Sequence, residues 1–426
     1  MDEPNWYRQR RYLHFDEPLG LDKASKLVLD ANKVSRHSFW PLINYTVKTE
    51  KLRREPLSGN LEKISKDRPI SYAAHSDSHI LSYYCQLLSE RYEAKLVAHG
   101  LSESVLAFRS LGQNNIHFAN SAFQDIKTRG DCEVVALDVS KFFDTIDHQL
   151  LKQYWKSILD VDELPADHYA VFRAITKYAS VNRDALFFKL GISSHNPRSV
   201  GRRICTPDQF RTAVRDGGFV KANSLSMGVP QGTAISALLS NIYMLDFDRQ
   251  ASQFVATIGG RYMRYCDDIL FIVPPDLADT AKKFAESGMA SLKLSINAAK
   301  TDISKFNRIP GATALQCNRP LQYLGFLFDG KKVLIRSAAF AKFSNRMKRG
   351  VRLAKATASS RNKLREELSA AGKAVYKKKL LSRYSHLGRR NFLRYGYRAA
   401  DILDSPAIKR QLRPLWSRLL DEIAKD

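Results

Sequence analysis

Arg261-Tyr-Met-Arg-Tyr265-Cys266-Asp267-Asp268-Ile269-Leu-Phe-Ile-Val273 is the stretch on which the fold of this chain turns. Two extended, largely apolar runs flank a pair of adjacent carboxylates, the pattern of a buried β-hairpin with Asp267 and Asp268 at its turn. Placing two anions beside such strands is expensive unless a cation neutralises them. A divalent metal is the direct candidate, so Tyr265–Asp268 points to metal-dependent chemistry.

Working outward, a second short apolar strand, Cys132-Glu-Val-Val-Ala-Leu-Asp138, also ends on a carboxylate. In an antiparallel sheet the two strand ends lie side by side. Asp138, Asp267 and Asp268 then meet although Asp138 and Asp267 are 129 residues apart. Three oxygen ligands suit magnesium, which prefers carboxylates, waters and substrate phosphates to a complete protein cage. Two such ions about 4 Å apart would activate a 3′-hydroxyl and stabilise departing pyrophosphate in an in-line displacement. Any one of these aspartates alone would suit a surface turn; the combination carries the inference.

At 426 residues, 44% hydrophobic and 26% charged, the chain has the composition of an ordinary globular protein with two or three domains or one elaborated domain. Its five cysteines are scattered, without a CxxC pair or a histidine cluster. That argues against a zinc site or a disulfide framework and fits a reducing cytoplasm. No signal-peptide core follows Met1, and no apolar run approaches the roughly 18 residues of a membrane span, so a cytoplasmic location without a membrane partner is expected.

The net charge of +25 is unevenly placed: residues 331–426 hold 26 Lys+Arg against 7 Asp+Glu. Short charge runs are usually solvated helix faces, but a segment this lopsided attracts polyanions, nucleic acid above all. Tyr376, Tyr384, Phe392, Tyr395, Tyr397 and Trp416 are interleaved with the cations. They suit stacking on bases, although each ring taken singly suits a core.

Residues 1–50 read as a basic, partly helical lead-in with Leu27, Val28, Leu29 and Val34 on an apolar stripe. Helices are expected over 76–101, in a short piece ending at Phe108, and over 119–128, 147–158, 234–250 and 277–290. Strands are expected at 132–138, 261–273, 292–296 and 321–328. The stretch from Pro165 to Gly228 is punctuated by Gly, Pro and Ser and reads as an insertion. Everything after Arg336 reads as helix. The expected class is α+β, a sheet layer followed by a helical basic unit.

Five stretches, Tyr265–Asp268 among them, stand in a telling order: Asp138-Val-Ser-Lys-Phe-Phe143-Asp, Gly228-Val-Pro-Gln231-Gly232-Thr-Ala-Ile-Ser236, Tyr265-Cys-Asp267-Asp268, Asn297-Ala-Ala-Lys300-Thr301 and Tyr323-Leu324-Gly325-Phe326. Together they resemble palm motifs A to E of a reverse transcriptase, over roughly Arg68 to Phe328. The resemblance implies a right-hand polymerase with an antiparallel palm sheet. Its parts would be an N-terminal extension (1–50), fingers (51–131), a palm (132–330) with its insertion at about 165–228, and a helical basic thumb-like domain (331–426). RNA-directed DNA synthesis by two-metal nucleotidyl transfer is the activity it implies.

Position by position, the resemblance assigns Asp138, Asp267 and Asp268, helped by the Val139 carbonyl, to two Mg2+ ions, with Mn2+ as the alternative metal. Phe143 matches the aromatic gate that crowds a ribose 2′-OH, whereas Phe142 suits the core. Gln231 resembles the residue flanking the incoming nucleotide, and Gly232 permits close backbone approach. Lys300 matches a lysine placed to protonate departing pyrophosphate. Arg68 resembles the fingers arginine that clamps the triphosphate, a role Lys66 or Lys63 could share. Tyr323, Leu324, Gly325 and Phe326 resemble the primer grip, though plain strand would read the same way. The implied partners are an RNA template, dNTPs, the cDNA product and its RNA–DNA duplex.

Two departures accompany the match: the long spacing from Asp138 to Asp267, and cysteine at the second position of Tyr265–Asp268. No RNase H, endonuclease or integrase-like pattern follows the thumb-like region. Arg109–Ala119, Arg203–Arg211 and Leu387–Tyr395 resemble bacterial defence-associated reverse transcriptases (the former unknown groups), class 2 most of all. That implies an antiphage role with a structured noncoding RNA as template. A retron or group II intron enzyme is the runner-up. A template-independent, protein-primed DNA synthase would leave DNA on a tyrosine. Phe143 speaks against an RNA polymerase, and intact Asp138 and Asp267 against an inert RNA-binding scaffold. The template, the priming mode and the oligomeric state are not readable from the residues.

Overall fold

The computed structural model describes residues 3–54, 61–311 and 314–425, without the side chains of residues 50–54, 61–64, 66 and 198. Lys63 and Lys66, the alternatives to Arg68, therefore lie outside the described side chains. Twelve strands form among the described residues. They are β1 (Leu42–Arg54), β2 (Leu61–Tyr72), β3 (Cys132–Asp138), β4 (Ala179–Asn182), β5 (Lys221–Ala222), β6 (Arg261–Tyr265) and β7 (Asp268–Val273), followed by β8 (Asp302–Arg308), β9 (Leu315–Cys317), β10 (Leu321–Tyr323), β11 (Phe326–Phe328) and β12 (Val333–Ile335).

Val134, Val135 and Leu137 make β3 apolar on both faces, and it takes the central place in an antiparallel sheet of order β6-β7-β3-β8-β9. Its register sets Val134 against Ile272, Leu137 against Ile269 and Asp138 against Asp268. On the other side Ala136 faces Asp302. Helices Asn115–Arg129, Ser236–Tyr243, Leu245–Thr257 and Ala278–Ser291 accompany the sheet, and their apolar residues join those of its strands in two continuous cores.

The hairpin β6–β7 is anchored from beneath by a buried ion pair. Arg264 on β6 and Asp248 on the helix Leu245–Thr257 both have fully buried side chains. Arg264 Nε and Nη2 donate to the two Asp248 oxygens at 2.7 and 2.5 Å, and the Tyr262 hydroxyl donates to Asp248 at 2.6 Å. Arg264 Nη1 also donates to Asn241 Oδ1 (3.0 Å) and to the Cys266 carbonyl (3.2 Å). All three guanidinium nitrogens are thus engaged, two of them in a bidentate pair with Asp248, the condition under which a buried charge is tolerated. Cys266 needs that support because its φ of 59° lies in the left-handed region, which non-glycine residues avoid.

A second sheet has the order β2-β1-β4-β5. β1 and β2 form a long antiparallel hairpin, β4 runs parallel to β1 with Leu42 against Ser180, and β5 closes the edge. The stretch read as an insertion, 165–228, therefore supplies two strands to the sheet begun by β1. Its helix Ala166–Thr176 also packs against the lead-in helix Ala31–Ser35. In the lead-in, Val28 and Val34 are buried while Leu29 faces solvent.

Four expected elements form differently. No strand covers 292–296: Lys293 turns with φ 54°, Leu294 N–H donates back to the Met289 carbonyl, and only an isolated bridge joins Ile296 to Val139. The neighbour of β3 on that side is β8, more polar and later in the chain. No short helix ends at Phe108; Val105 instead bridges to Arg264. The helix expected over 234–250 is two, divided at Met244. The strand expected over 321–328 is a hairpin, β10–β11, turning at Leu324-Gly325 and completed by β12.

The last segment is helical, as read: Ser337–Glu367, Lys377–Tyr384, Phe392–Ile402, Pro406–Leu412 and Pro414–Ala424. The 31-residue helix Ser337–Glu367 buries only Phe343, Met347 and Val351, which leaves most of its basic residues accessible. Among the described residues no helix is long and apolar enough to cross a membrane.

Candidate active site

The sheet register decides where the carboxylates go. Asp138 ends β3 directly opposite Asp268 at the start of β7, and Asp267 occupies the turn beside it. Val139 N–H donates to the Asp267 carbonyl (3.1 Å), and Asn297 N–H donates to the Asp138 carbonyl (2.8 Å), so backbone bonds lock the three segments together. The ammonium of Lys300 pairs with the Asp138 carboxylate. Burial, and then the charges of Asp267 and Asp138, push the Asp268 carboxyl up to about 7, against the opposing pull of Lys300 and Arg336. Burial and carboxylate repulsion outweigh the nearby cations at Asp268.

A cleft of about 950 Å³ opens over this corner. Its lining takes in Asp138, Asp267 and Asp268 together with Arg68, Lys300 and Tyr323–Gly325. It does not take in Val139, Phe143, Gln231, Gly232 or Phe326. Among the described residues no three His, Cys, Asp or Glu side chains are arranged to hold a metal ion as they stand. The donor set nevertheless suits one: three carboxylates at two adjacent strand ends, one of them raised by burial and by the charges of the other two, are hard oxygen ligands. Asp138, Asp267 and Asp268 would hold the cation, and Lys300 would stand beside it.

Beside the cleft, Lys141 (φ 46°) starts the single-turn helix Phe142–Thr145. Phe142 is buried and Phe143 half-buried, with ring centroids 5.7 Å apart. Val229 N–H donates to the Phe143 carbonyl (2.9 Å) and Gly228 N–H to the Ile146 carbonyl (2.8 Å), so the Gly228–Gly232 segment fixes this turn. The Gln231 side chain hydrogen-bonds Asp144, and the Gln231 backbone carbonyl accepts from Ser71 N–H at 2.7 Å. Gly232 has φ 107°, and a Cβ there would lie 2.6 Å from the Ser71 carbonyl oxygen. The close approach it permits is therefore to the end of β2.

The hairpin β10–β11 divides its four residues between two tasks. Tyr323 and Phe326 are buried, and burial pushes the Tyr323 hydroxyl well above its ordinary pKa. Leu324 and Gly325, with φ of 45° and 95°, form the turn that faces the cleft. Residues that sequence reasoning did not single out complete the lining. Arg336 caps the helix Ser337–Glu367 and reaches Asp268 electrostatically. Arg319 pairs with Asp302 at 2.7 Å, and Asn115 begins the helix Asn115–Arg129. Arg319 and Arg336 lie in none of the quoted motifs, and Asn115 lies within the Arg109–Ala119 stretch, whose resemblance assigns it no role. Of the two arginines, only Arg336, just ahead of a long helix, stands at a position that could have drawn notice.

Residues 68–328, more than half of the chain, match the family described as Reverse transcriptase (RNA-dependent DNA polymerase), and the chain belongs to that family. The fold is accordingly an α+β right-hand polymerase. No curated protein matches the chain. Among solved structures it is similar to apo telomerase from Candida tropicalis truncated from the C-terminal domain, at 11% identity over 74% of this chain and 60% of that one, with a TM-score of 0.41. Telomerase from Candida albicans in complex with a TWJ fragment of telomeric RNA gives 13% identity, 92% and 61% coverage, and a TM-score of 0.39. The chain thus spans about three-fifths of the length of either telomerase. Scores this low carry no argument about function.

Proposed function

We propose that this chain is an RNA-directed DNA polymerase that copies RNA into cDNA by metal-assisted nucleotidyl transfer. The observation that carries the reading is the register pairing Asp138 with Asp268, with Asp267 beside them, at the mouth of one cleft in a reverse-transcriptase fold. Asp138, Asp267 and Asp268, with the Val139 carbonyl, would hold two Mg2+ ions, which when bound would activate the primer 3′-hydroxyl and stabilise the leaving pyrophosphate. Lys300, which pairs with Asp138 at the edge of the same cleft, would protonate the pyrophosphate. Arg68, on the same cleft, holds the triphosphate. Phe143 limits the space for a 2′-hydroxyl, Gln231 holds the gate through Asp144, and Leu324-Gly325 positions the primer strand.

Phe143→Ala is expected to narrow the preference for dNTPs over rNTPs by about tenfold or more, equivalent to roughly 1.4 kcal/mol of differential transition-state binding. Competing incorporation of the two sugars measures it, and an unchanged ratio removes Phe143 from the gate. The basic helices after Arg336 hold the RNA–DNA duplex through its phosphates. Six or more such contacts make RNA affinity fall by about a thousandfold between roughly 50 and 200 mM salt. A flat salt profile in a filter-binding titration contradicts that role.

The biological setting belongs to the same proposal: a cytoplasmic enzyme of bacterial antiphage defence, whose template is a cognate structured noncoding RNA. Sequencing the RNA and DNA that copurify with the wild-type chain and with its Asp267→Asn/Asp268→Asn variant tests it. One abundant structured RNA in both samples, with complementary DNA in the wild type alone, is the expected result. Intron RNA, or DNA joined to a tyrosine without any template, overturns it.

A further inference from the structure

Asn115 sits where three parts of the molecule meet. It is the first residue of the helix Asn115–Arg129, behind a capping box in which the Asn114 side chain accepts from Ile116 N–H and His117 returns the bond. Its amide nitrogen donates to the Leu324 carbonyl at 3.0 Å and to the Tyr395 hydroxyl at 2.9 Å. Both amide protons are thereby spent on partners 209 and 280 residues away.

The first partner is under strain. Leu324 and Gly325 form a two-residue hairpin loop in which both φ values are positive, a conformation that glycine adopts freely and leucine does not. A leucine held there costs about 1–2 kcal/mol unless its surroundings impose the conformation. The Asn115 amide on the Leu324 carbonyl, and Arg336 N–H on the Gly325 carbonyl at 3.2 Å, impose it. The second partner ties in the thumb: Tyr395 stands on the helix Phe392–Ile402, and its ring stacks with Phe326 and Phe392 at 6.4 Å. Asn115, Leu324 and Gly325 all line the cleft that holds Asp267 and Asp268.

We infer that Asn115 is a positioning residue for the primer end: its amide clamps the Leu324-Gly325 turn between palm and thumb and so fixes the distance from the primer strand to the carboxylates. Asn115 touches neither carboxylate in this arrangement and acts through the turn. The inference rests on the polymerase reading, and on Leu324-Gly325 as the element that presents the primer.

Single-turnover extension of a DNA primer annealed to an RNA oligonucleotide tests the inference, with amide hydrogen exchange over residues 321–328 as a second readout. Asn115→Ala is expected to slow nucleotide addition at least tenfold, to leave the KM for the incoming dNTP within about twofold, and to speed exchange in the 321–328 segment. Tyr395→Phe, which removes one acceptor and keeps the Leu324 bond, falls between wild type and Asn115→Ala. An unchanged rate and unchanged exchange in either variant overturn the inference, as does a rate loss matched by an equal loss of folded protein. Should Asn115→Ala not fold, Tyr395→Phe decides alone. A wild-type chain that does not extend the primer speaks against the polymerase reading instead, and the exchange result still judges the clamp.

Discussion

Replacing Asp267 and Asp268 together by asparagine is expected to abolish DNA synthesis while the chain folds at least as well as the wild type. Losing two of three anionic ligands removes most of the affinity for the divalent cation, and a fall of a thousandfold or more, about 4 kcal/mol in the barrier, is the minimum expected. The stability half of the prediction comes from the repulsion among the carboxylates. Asp268 is driven up to about 7 by burial and by Asp267 and Asp138, so in the metal-free protein its ionisation opposes folding. An unfolded aspartate titrates near 4, so the folded state binds the extra proton between about pH 4 and 7, and stability declines as pH rises through that window. Asp268→Asn removes that decline. Thermal unfolding of metal-free wild type and variant at pH 5 and pH 8 measures it. A variant less stable than wild type at pH 8 would mean that Asp268 is held by something other than a missing cation.

Asp248→Ala is expected to be the most damaging single change outside the cleft. It strands Arg264, a fully buried guanidinium, without its bidentate partner, and takes the acceptor from the Tyr262 hydroxyl as well. Breaking a buried pair in this way costs about 3–5 kcal/mol. The loss is felt where Arg264 supports the Cys266 carbonyl, at the turn that presents Asp267. Denaturant unfolding measures the stability change and primer extension the activity. Replacing both charges with apolar residues, Asp248→Leu with Arg264→Met, should recover much of the stability, because neither charge is then left alone. If the single and double replacements destabilise equally, the cost is one of shape and the ion pair is incidental.

The carboxylate corner was legible because its signals are local. The run Val134-Val-Ala-Leu137 and the two sides of Tyr265–Asp268 are short and apolar, and a strand ending on aspartate beside a hairpin tipped with aspartates leaves few other arrangements. The same rule misled at 292–296. Leu292 and Leu294 alternate like a strand and are both buried, but Lys293 turns the chain, and they pack as the end of the preceding helix. The strand that pairs with β3, Asp302–Arg308, is polar at most positions and hid in plain sight. Pairing of β1 with β4, Leu42 against Ser180, 138 residues apart, left no trace in either segment. The Arg264–Asp248 pair was equally hidden, because a charged residue in a strand reads as a solvent-facing position until its partner is known. Asn115 belongs with it: its two partners are distant in sequence, and an asparagine opening a helix is ordinarily explained by capping alone.

The most direct measurement gives the purified chain a DNA primer annealed to a defined RNA template, with dNTPs and Mg2+, and reads the sequence of any extended product. DNA complementary to the RNA is predicted, lost on chelation of the metal and lost in the Asp267→Asn/Asp268→Asn variant. No extension, or extension that ignores the template or survives the substitution, would contradict an RNA-directed DNA polymerase built around Asp138, Asp267 and Asp268.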